Sequence, residues 1–228
     1  MIRLAVFDMA GTTIDEQGLV YVALREAVEA TGATVAAADL ETWMGRDKEE
    51  AIWGLMELGG QTPDADRVAA AFKDFSERLT RKYTEVAPRA LAGVREAFDA
   101  VHAAGGQVYL TTGFKIPVVE SLLAGLGWDG DDVIDGWFCT DHVPTGRPAP
   151  YLIYRAMEAA GIHDAAEVLV AGDTIADVKS GLNARAGVVI GVTTGDVSRA
   201  TLEAAGAHHV LDSLADIAPL LTAEPAAV

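Results

Sequence analysis

Leu4-Ala-Val-Phe7, followed by Asp8-Met-Ala-Gly-Thr-Thr-Ile-Asp15, decides the reading of this chain. Four apolar residues closed by an aspartate read as a buried strand with a polar turn at its carboxyl end. Val108-Tyr-Leu-Thr111, Gly136-Trp-Phe-Cys139, Val168-Leu-Val-Ala171 and Val188-Val-Ile-Gly-Val192 have the same form, and His209-Val-Leu211 is a weaker sixth. Helical patterns lie between and after them, over 91–104, 116–126, 151–160, 175–186, 198–205 and 214–221. Alternating strands and helices predict an α/β fold, a doubly wound parallel sheet covered on both faces. The stretch from 18 to 86 breaks the alternation. It offers helices only, over 20–30, 36–44, 48–58 and 64–83.

The expectation is therefore a Rossmann-like core from 1–16 and 87–228, carrying an inserted all-helical cap domain at 17–86. The Ala-rich tail 222–228 is expected to fray. At 228 residues the chain is long enough to bury a sizeable core without staples. Its 17 basic and 34 acidic residues leave a formal charge of −17, which repels nucleic acid and anionic membrane, so neither is an expected partner. Cys139 is the only cysteine, which excludes an intrachain disulfide and fits a reducing cytoplasm. No apolar run approaches the ~18 residues of a membrane span. The opening residues turn acidic too soon for a signal peptide.

Ligands of open α/β sheets bind at the carboxyl ends of the strands. Asp8 to Asp15 follow the first strand, Thr111-Thr112-Gly113 the second, Gly146-Arg147-Pro148 comes shortly after the third, and Gly172-Asp173-Thr174 with Asp177 follow the fourth. Three carboxylates, hydroxyls, glycines and one arginine at one edge suit a phosphoryl group and a divalent metal. Carboxylate oxygens hold hard cations such as Mg²⁺. Gly-rich turns offer N–H groups to phosphoryl oxygens, and arginine adds a fixed charge. Each residue alone has a plainer reading: Asp8 as a turn residue, Asp173 as a helix cap, Asp177, Thr111, Thr112 and Arg147 as ordinary strand-end or surface residues. Four strand ends carrying one chemistry argue against that reading for all of them together.

These residues resemble the haloacid dehalogenase superfamily, whose opening motif is Asp-x-Asp-Gly-Thr. Asp8, Gly11 and Thr12 match it, and Ala10 stands in place of the second Asp. Thr112 resembles the phosphate-binding Ser/Thr, and Asp173 with Asp177 resembles the acidic metal motif. Arg147 takes the place of the usual Lys. Asp8-Met-Ala-Gly-Thr-Thr and Val143-Pro-Thr-Gly-Arg-Pro-Ala-Pro150 together resemble the phosphonoacetaldehyde hydrolase (phosphonatase) subgroup. The resemblance implies a cap lysine that forms a Schiff base with an aldehyde, in a Met-Gly-x-x-Lys setting, which Met44-Gly45-Arg-Asp-Lys48 matches. Three residues on, where phosphonatase has His, this chain has Ala51. It further implies Asp8 as nucleophile and Mg²⁺ on Asp8, the Ala10 carbonyl, Asp173 and Asp177. Gly11, Thr12, Met44, Gly45, Thr112, Gly113 and Arg147 would surround the substrate. The partners implied are a small-molecule phosphonate and, at most, a second copy of the chain in a homodimer.

Lys48 and Ala10 also carry readings of their own. Asp47 and Glu50 form an Asp-x-x-Glu capping box, which makes Lys48 the first residue of a helix and the leader of an apolar stripe through Ala51, Ile52 and Leu55. The positive end of the helix dipole and burial both lower a lysine pKa. A free lysine, near ~10.4, is only ~0.04% neutral at pH 7, and only the neutral amine attacks a carbonyl. A snorkelling surface lysine is the plainer alternative. Ala10 cannot protonate an alkoxide leaving group. A C–P bond beta to an iminium carbon needs no such acid, because its electrons leave into an enamine. The expected function is thus Mg²⁺-dependent cleavage of a 2-oxoalkylphosphonate. The alternatives are an ordinary phosphomonoesterase of the superfamily and a non-enzymatic phospho-accepting domain.

Overall fold

Strand β1 (Leu4–Asp8) lies inside a six-stranded sheet in the computed structural model, which describes residues 1–129 and 133–221. Its neighbours are β4 (Gln107–Thr112) and β6 (Val168–Gly172), both parallel. Outside these run β5 (Gly136–Cys139) on one flank, and β7 (Val188–Val192) and β8 (His209–Leu211) on the other, again parallel. Every residue of β1, β6 and β7 is buried, as expected for strands covered on both faces. Asp8 is level with Thr111, and Phe7 with Ala171, so the ends of β1, β4 and β6 meet at one edge.

In chain order four helices follow β1 before the next strand of the sheet: α1 (Leu19–Glu29), α2 (Ala37–Thr42), α3 (Lys48–Leu58) and α4 (Ala65–Glu85). They face one another with apolar stripes at helical spacing. Val20, Ala23, Leu24, Ala27 and Val28 are buried on α1, and Val68, Ala71, Phe75 and Leu79 on α4. Ala51, Ile52, Leu55 and Met56 are buried on α3. The sheet is covered by α5 (Val94–Ala103), α6 (Ile116–Leu126), α7 (Tyr151–Ala160) and α8 (Ile175–Asn183), with α9 (Arg199–Ala204) and α10 (Ala218–Leu221) following. Phe98 anchors α5, its ring 5.5 Å from Phe7 and 5.4 Å from Trp128.

The sequence reading needs four corrections. The pieces β2 (Ile14–Asp15) and β3 (Arg89–Ala90) pair antiparallel where the helical insert leaves and returns. Two residues per strand are too few to show an alternating pattern. Helix α5 starts at Val94 rather than 91, because Gly93 at its N-cap is left-handed (φ 81°) and the Leu91 N–H is spent on the Thr13 carbonyl. The helix expected over 214–221 divides into a 3₁₀ turn (Leu214–Asp216) and α10, with Pro219 in the first turn, where a proline is tolerated. At α3, Asp47 caps Glu49 and Glu50 N–H at 2.9 and 3.0 Å, but no return bond from Glu50 completes the box among the described residues. The tail 222–228 lies outside the described residues. Among those residues no helix is long and apolar enough to cross a membrane.

Candidate active site

Asp8 ends β1, and Asp173 and Asp177 follow β6 on the loop and first turn of α8. All three are buried, and one carboxylate oxygen from each lies within 4.8 Å of the others. Several groups hold them. Thr12 Oγ1 donates to Asp173 Oδ1 at 2.8 Å. The Thr174 N–H donates to Asp177 Oδ2 at 3.1 Å, and the Thr174 hydroxyl donates to the same oxygen. Arg147 is 3% exposed; its Nη1 lies 2.5 Å from both Asp8 Oδ1 and Asp177 Oδ1, and its Nη2 donates to Thr111 Oγ1 at 3.0 Å. Three carboxylates against one guanidinium leave a surplus of negative charge that burial makes costly. Burial, then Asp177, pushes Asp8 up to about 7 against the pull of Arg147. Burial, with Asp8 and Asp177, raises Asp173 well above the carboxylate range. All-oxygen donors with surplus negative charge fit a hard divalent cation, which would relieve both effects.

Lys48 comes from the other side. It opens α3, is 4% exposed, and donates from Nζ to the Arg46 carbonyl at 2.8 Å. The Tyr21 ring lies 5.8 Å and the Phe114 ring 5.7 Å from Nζ. Burial first, and Arg147 after it, lowers the amine to about 8, although Asp47, Asp8 and Glu16 favour its charged form. Lys48, Asp8, Ala10, Thr112, Gly113 and Arg147 line one narrow cavity of about 10 Å³, about the size of a single water. The residue is thus a buried amine facing the nucleophile candidate, not a snorkelling surface lysine.

The remaining expected residues divide into two groups. Gly45 and Gly113 line the cavity, and Thr112 Oγ1 accepts the Phe114 N–H at 3.2 Å. Gly11 and Thr12 are committed elsewhere. The Gly11 N–H is spent on the Ile14 carbonyl at 2.9 Å, and the Thr12 hydroxyl on Asp173. Gly11, left-handed at φ 85°, leaves room for Asp173, whose Oδ2 would be 2.5 Å from a Cβ at this position. Met44 is half-buried and borders a separate surface hollow with Arg25 and Leu40. Ala51 is fully buried.

Sequence reasoning missed three residues. Gly195, on the loop after β7, lies so close to Asp173 that any Cβ would overlap its carboxylate. Thr194 Oγ1 donates to the Gly11 carbonyl at 2.6 Å, which ties that loop to the first-strand turn. The Thr-Thr-Gly after β7 was available as a signal, since it repeats the polar strand end seen after β4. Tyr21 is the third. It is the third residue of α1 and accepts the Gly45 N–H at its hydroxyl, 3.1 Å away.

A parallel sheet that places a strand-end aspartate beside two further carboxylates and an arginine defines a class of phosphoryl-handling hydrolase. Residues 2–185 match the model of the haloacid dehalogenase-like hydrolases, and the chain belongs to that family of enzymes. It is 27% identical to the phosphonoacetaldehyde hydrolase of Paraburkholderia phytofirmans, over 96% of this chain and 94% of the relative. Among solved structures it is similar to a hydrolase from Pseudomonas syringae, with a TM-score of 0.85 at 22% identity over 97% and 98% of the two chains. A phosphonoacetaldehyde hydrolase-like protein from Oleispira antarctica gives a TM-score of 0.82 at 23% identity over 97% and 91%.

Proposed function

We propose that this enzyme is a Mg²⁺-dependent hydrolase that cleaves the C–P bond of phosphonoacetaldehyde or a related 2-oxoalkylphosphonate. The observation that carries the reading is Lys48, a buried amine with a lowered pKa in the same narrow cavity as Asp8. A phosphate ester gives such an amine nothing to do, whereas a carbonyl does. The Lys48 ammonium gives up a proton and adds as the neutral amine to the substrate carbonyl; that proton is taken back as water leaves, so that ammonium and carbonyl become iminium and water. An Asp8 oxygen then bonds to phosphorus. The C–P electron pair moves into the C–C bond to give a neutral enamine on Lys48 and a phosphorylated Asp8. Water hydrolyses the acyl phosphate; protonation of the enamine carbon and hydrolysis of the imine release the carbonyl product and free Lys48. The Ala10 side chain fits this route, because the departing enamine takes no proton from an acid at that position.

Asp8, the Ala10 carbonyl, Asp173 and Asp177 would hold the Mg²⁺, which when bound offsets charge on the phosphonyl oxygens. Thr112 and Arg147 bind those oxygens. Residues 17–86 act as a cap domain over a core of 1–16 and 87–228, opening for substrate and closing to exclude water. The cavity supports this, since about 10 Å³ admits no phosphonate without opening. The deciding experiment adds borohydride together with phosphonoacetaldehyde. The expected result is inactivation, with the reduced adduct on the Lys48 peptide by mass spectrometry, and loss of C–P cleavage in Lys48→Arg. Normal activity in Lys48→Arg, with no adduct in the wild type, would overturn the reading in favour of a phosphomonoesterase.

A further inference from the structure

The carbonyl oxygen that Lys48 chemistry would release has no assigned partner. As the amine adds to the carbon, charge develops on that oxygen, and Asp8, the carboxylate in the same cavity wall, is hostile to it. A donor aimed at the oxygen is required. Arg147, held by Asp8, Asp177 and Thr111, is the group assigned to the phosphonyl oxygens. Phe114 and Ala51 carry no polar atom in their side chains. Two hydroxyls remain in the cavity wall, those of Thr112 and Tyr21. Thr112 ends β4 beside Asp8, on the phosphoryl side. Tyr21 belongs to α1, in the helical insert with Lys48, and its ring lies 5.8 Å from Nζ.

We propose that Tyr21 is a further catalytic residue, whose phenol hydroxyl donates a hydrogen bond to the substrate carbonyl oxygen while Lys48 Nζ bonds to the carbonyl carbon. The inference rests on the Schiff-base reading above. The Tyr21 oxygen accepts the Gly45 N–H at 3.1 Å, which fixes it in place. Its own proton has no acceptor among the described residues. Burial, followed by Asp173, Asp8 and Asp177, raises its pKa well above the usual phenol value, so it stays a donor throughout the neutral range. The balance is simple. Lysine ammonium and carbonyl give iminium and water; both protons lost by nitrogen leave in that water, and Tyr21 ends as it began, a neutral phenol.

The test measures borohydride trapping of the imine from phosphonoacetaldehyde in an Asp8→Asn background, where C–P cleavage does not intervene. Adding Tyr21→Phe should slow trapping about tenfold to a hundredfold, as for loss of one oxyanion donor. The inhibition constant of inorganic phosphate on the otherwise wild-type enzyme should stay within about twofold, because its site faces the sheet. Replacing Tyr21 by 3-fluorotyrosine keeps the shape and the Gly45 contact but strengthens the donor, so trapping should quicken. Should Tyr21→Phe fail to fold, the fluorinated enzyme decides. Unchanged trapping in Tyr21→Phe, a matching loss of phosphate binding, or indifference to fluorination would each overturn the role of Tyr21 while leaving the Schiff base standing. Absence of any adduct in the Tyr21 enzyme would instead overturn the Schiff-base reading, and this inference with it.

Discussion

Gly113, the residue after Thr112, lies directly beneath the backbone of Arg46: a Cβ on Gly113 would stand 2.5 Å from the Arg46 carbonyl oxygen. That same oxygen accepts the Lys48 ammonium at 2.8 Å. The loop that delivers the amine and the loop that carries Thr112 are therefore in backbone contact. Gly45 makes a second such contact, where a side chain would overlap the Thr174 hydroxyl. Lys115, just past Gly113, adds a weak ion pair to Asp47 at 3.9 Å.

Gly113→Ala should leave the fold intact and obstruct this contact. Small clashes against backbone cannot be relieved by rotating a side chain, so the closed state becomes unfavourable by about 1–3 kcal/mol. The expected outcome is a fall in kcat for phosphonoacetaldehyde of about tenfold or more, with the far-UV circular dichroism of the wild type. Full kcat in the Gly113→Ala enzyme would show that the contact plays no part in turnover.

Imine formation should follow the titration of Lys48 near pH 8, not near the free-lysine value of ~10.4. Only the neutral amine reacts, so the trapping rate should rise about tenfold per pH unit below 8 and level off above it. At pH 7 an amine of pKa 8 is ~10% neutral, against ~0.04% for a free lysine. The measurement is the borohydride trapping rate from pH 5 to 10 in the Asp8→Asn background, where loss of the Asp8 charge, which favours the ammonium, moves the titration further down from 8.

Mg²⁺ should stabilise the fold as well as support activity. Burial and mutual repulsion raise the Asp8 and Asp173 pKa values, so ionising them at neutral pH costs folding energy. The sign follows from linkage. A carboxyl whose folded pKa lies above its unfolded value binds more protons when folded, so metal-free stability falls as pH rises from about 4 to about 7. A cation bound only by the folded state reverses this. At a hundredfold excess over Kd the gain is about 2.7 kcal/mol, or roughly 5–10 °C for a chain of this size. A melting point indifferent to Mg²⁺ at pH 8, compared with chelator, would contradict the metal assignment. Asp173→Asn should shrink the shift.

Ala10→Asp should not accelerate C–P cleavage, because the enamine leaving group needs no proton from this side. It should raise the hydrolysis of phosphate monoesters, which do need one. Assays of both substrate classes on the variant check this. A large gain on the phosphonate would mean that the wild type lacks an acid it could use.

The fold was largely legible because its signals are local. Apolar runs such as Leu4 to Phe7 and Val168 to Ala171 can be satisfied only inside a covered sheet, and the helical spacing of Val68, Ala71, Phe75 and Leu79 needs no partner to be recognised. The same holds for Asp8, Asp173 and Asp177, because the carboxyl ends of parallel strands must share one edge. Burial of Lys48 was readable only in part, from its place at the head of the stripe through Ala51, Ile52 and Leu55. Its charged neighbours Asp47, Glu49 and Glu50 left a surface lysine as the alternative, and packing against Tyr21, Phe114 and the Arg46 carbonyl decides for a desolvated amine. Tyr21 was missed for a related reason, whereas Gly195 lay at a polar strand end that could have been read, although its contact with Asp173 could not. The hydroxyl of one meets the Gly45 N–H, and the backbone of the other meets Asp173, across gaps in sequence that no spacing rule spans. Residue type and period therefore settle what each segment becomes, because backbone sterics and burial act within a turn or a strand. Which groups lose their water and which charges meet is settled by packing between distant segments, and that exists only once the chain has folded.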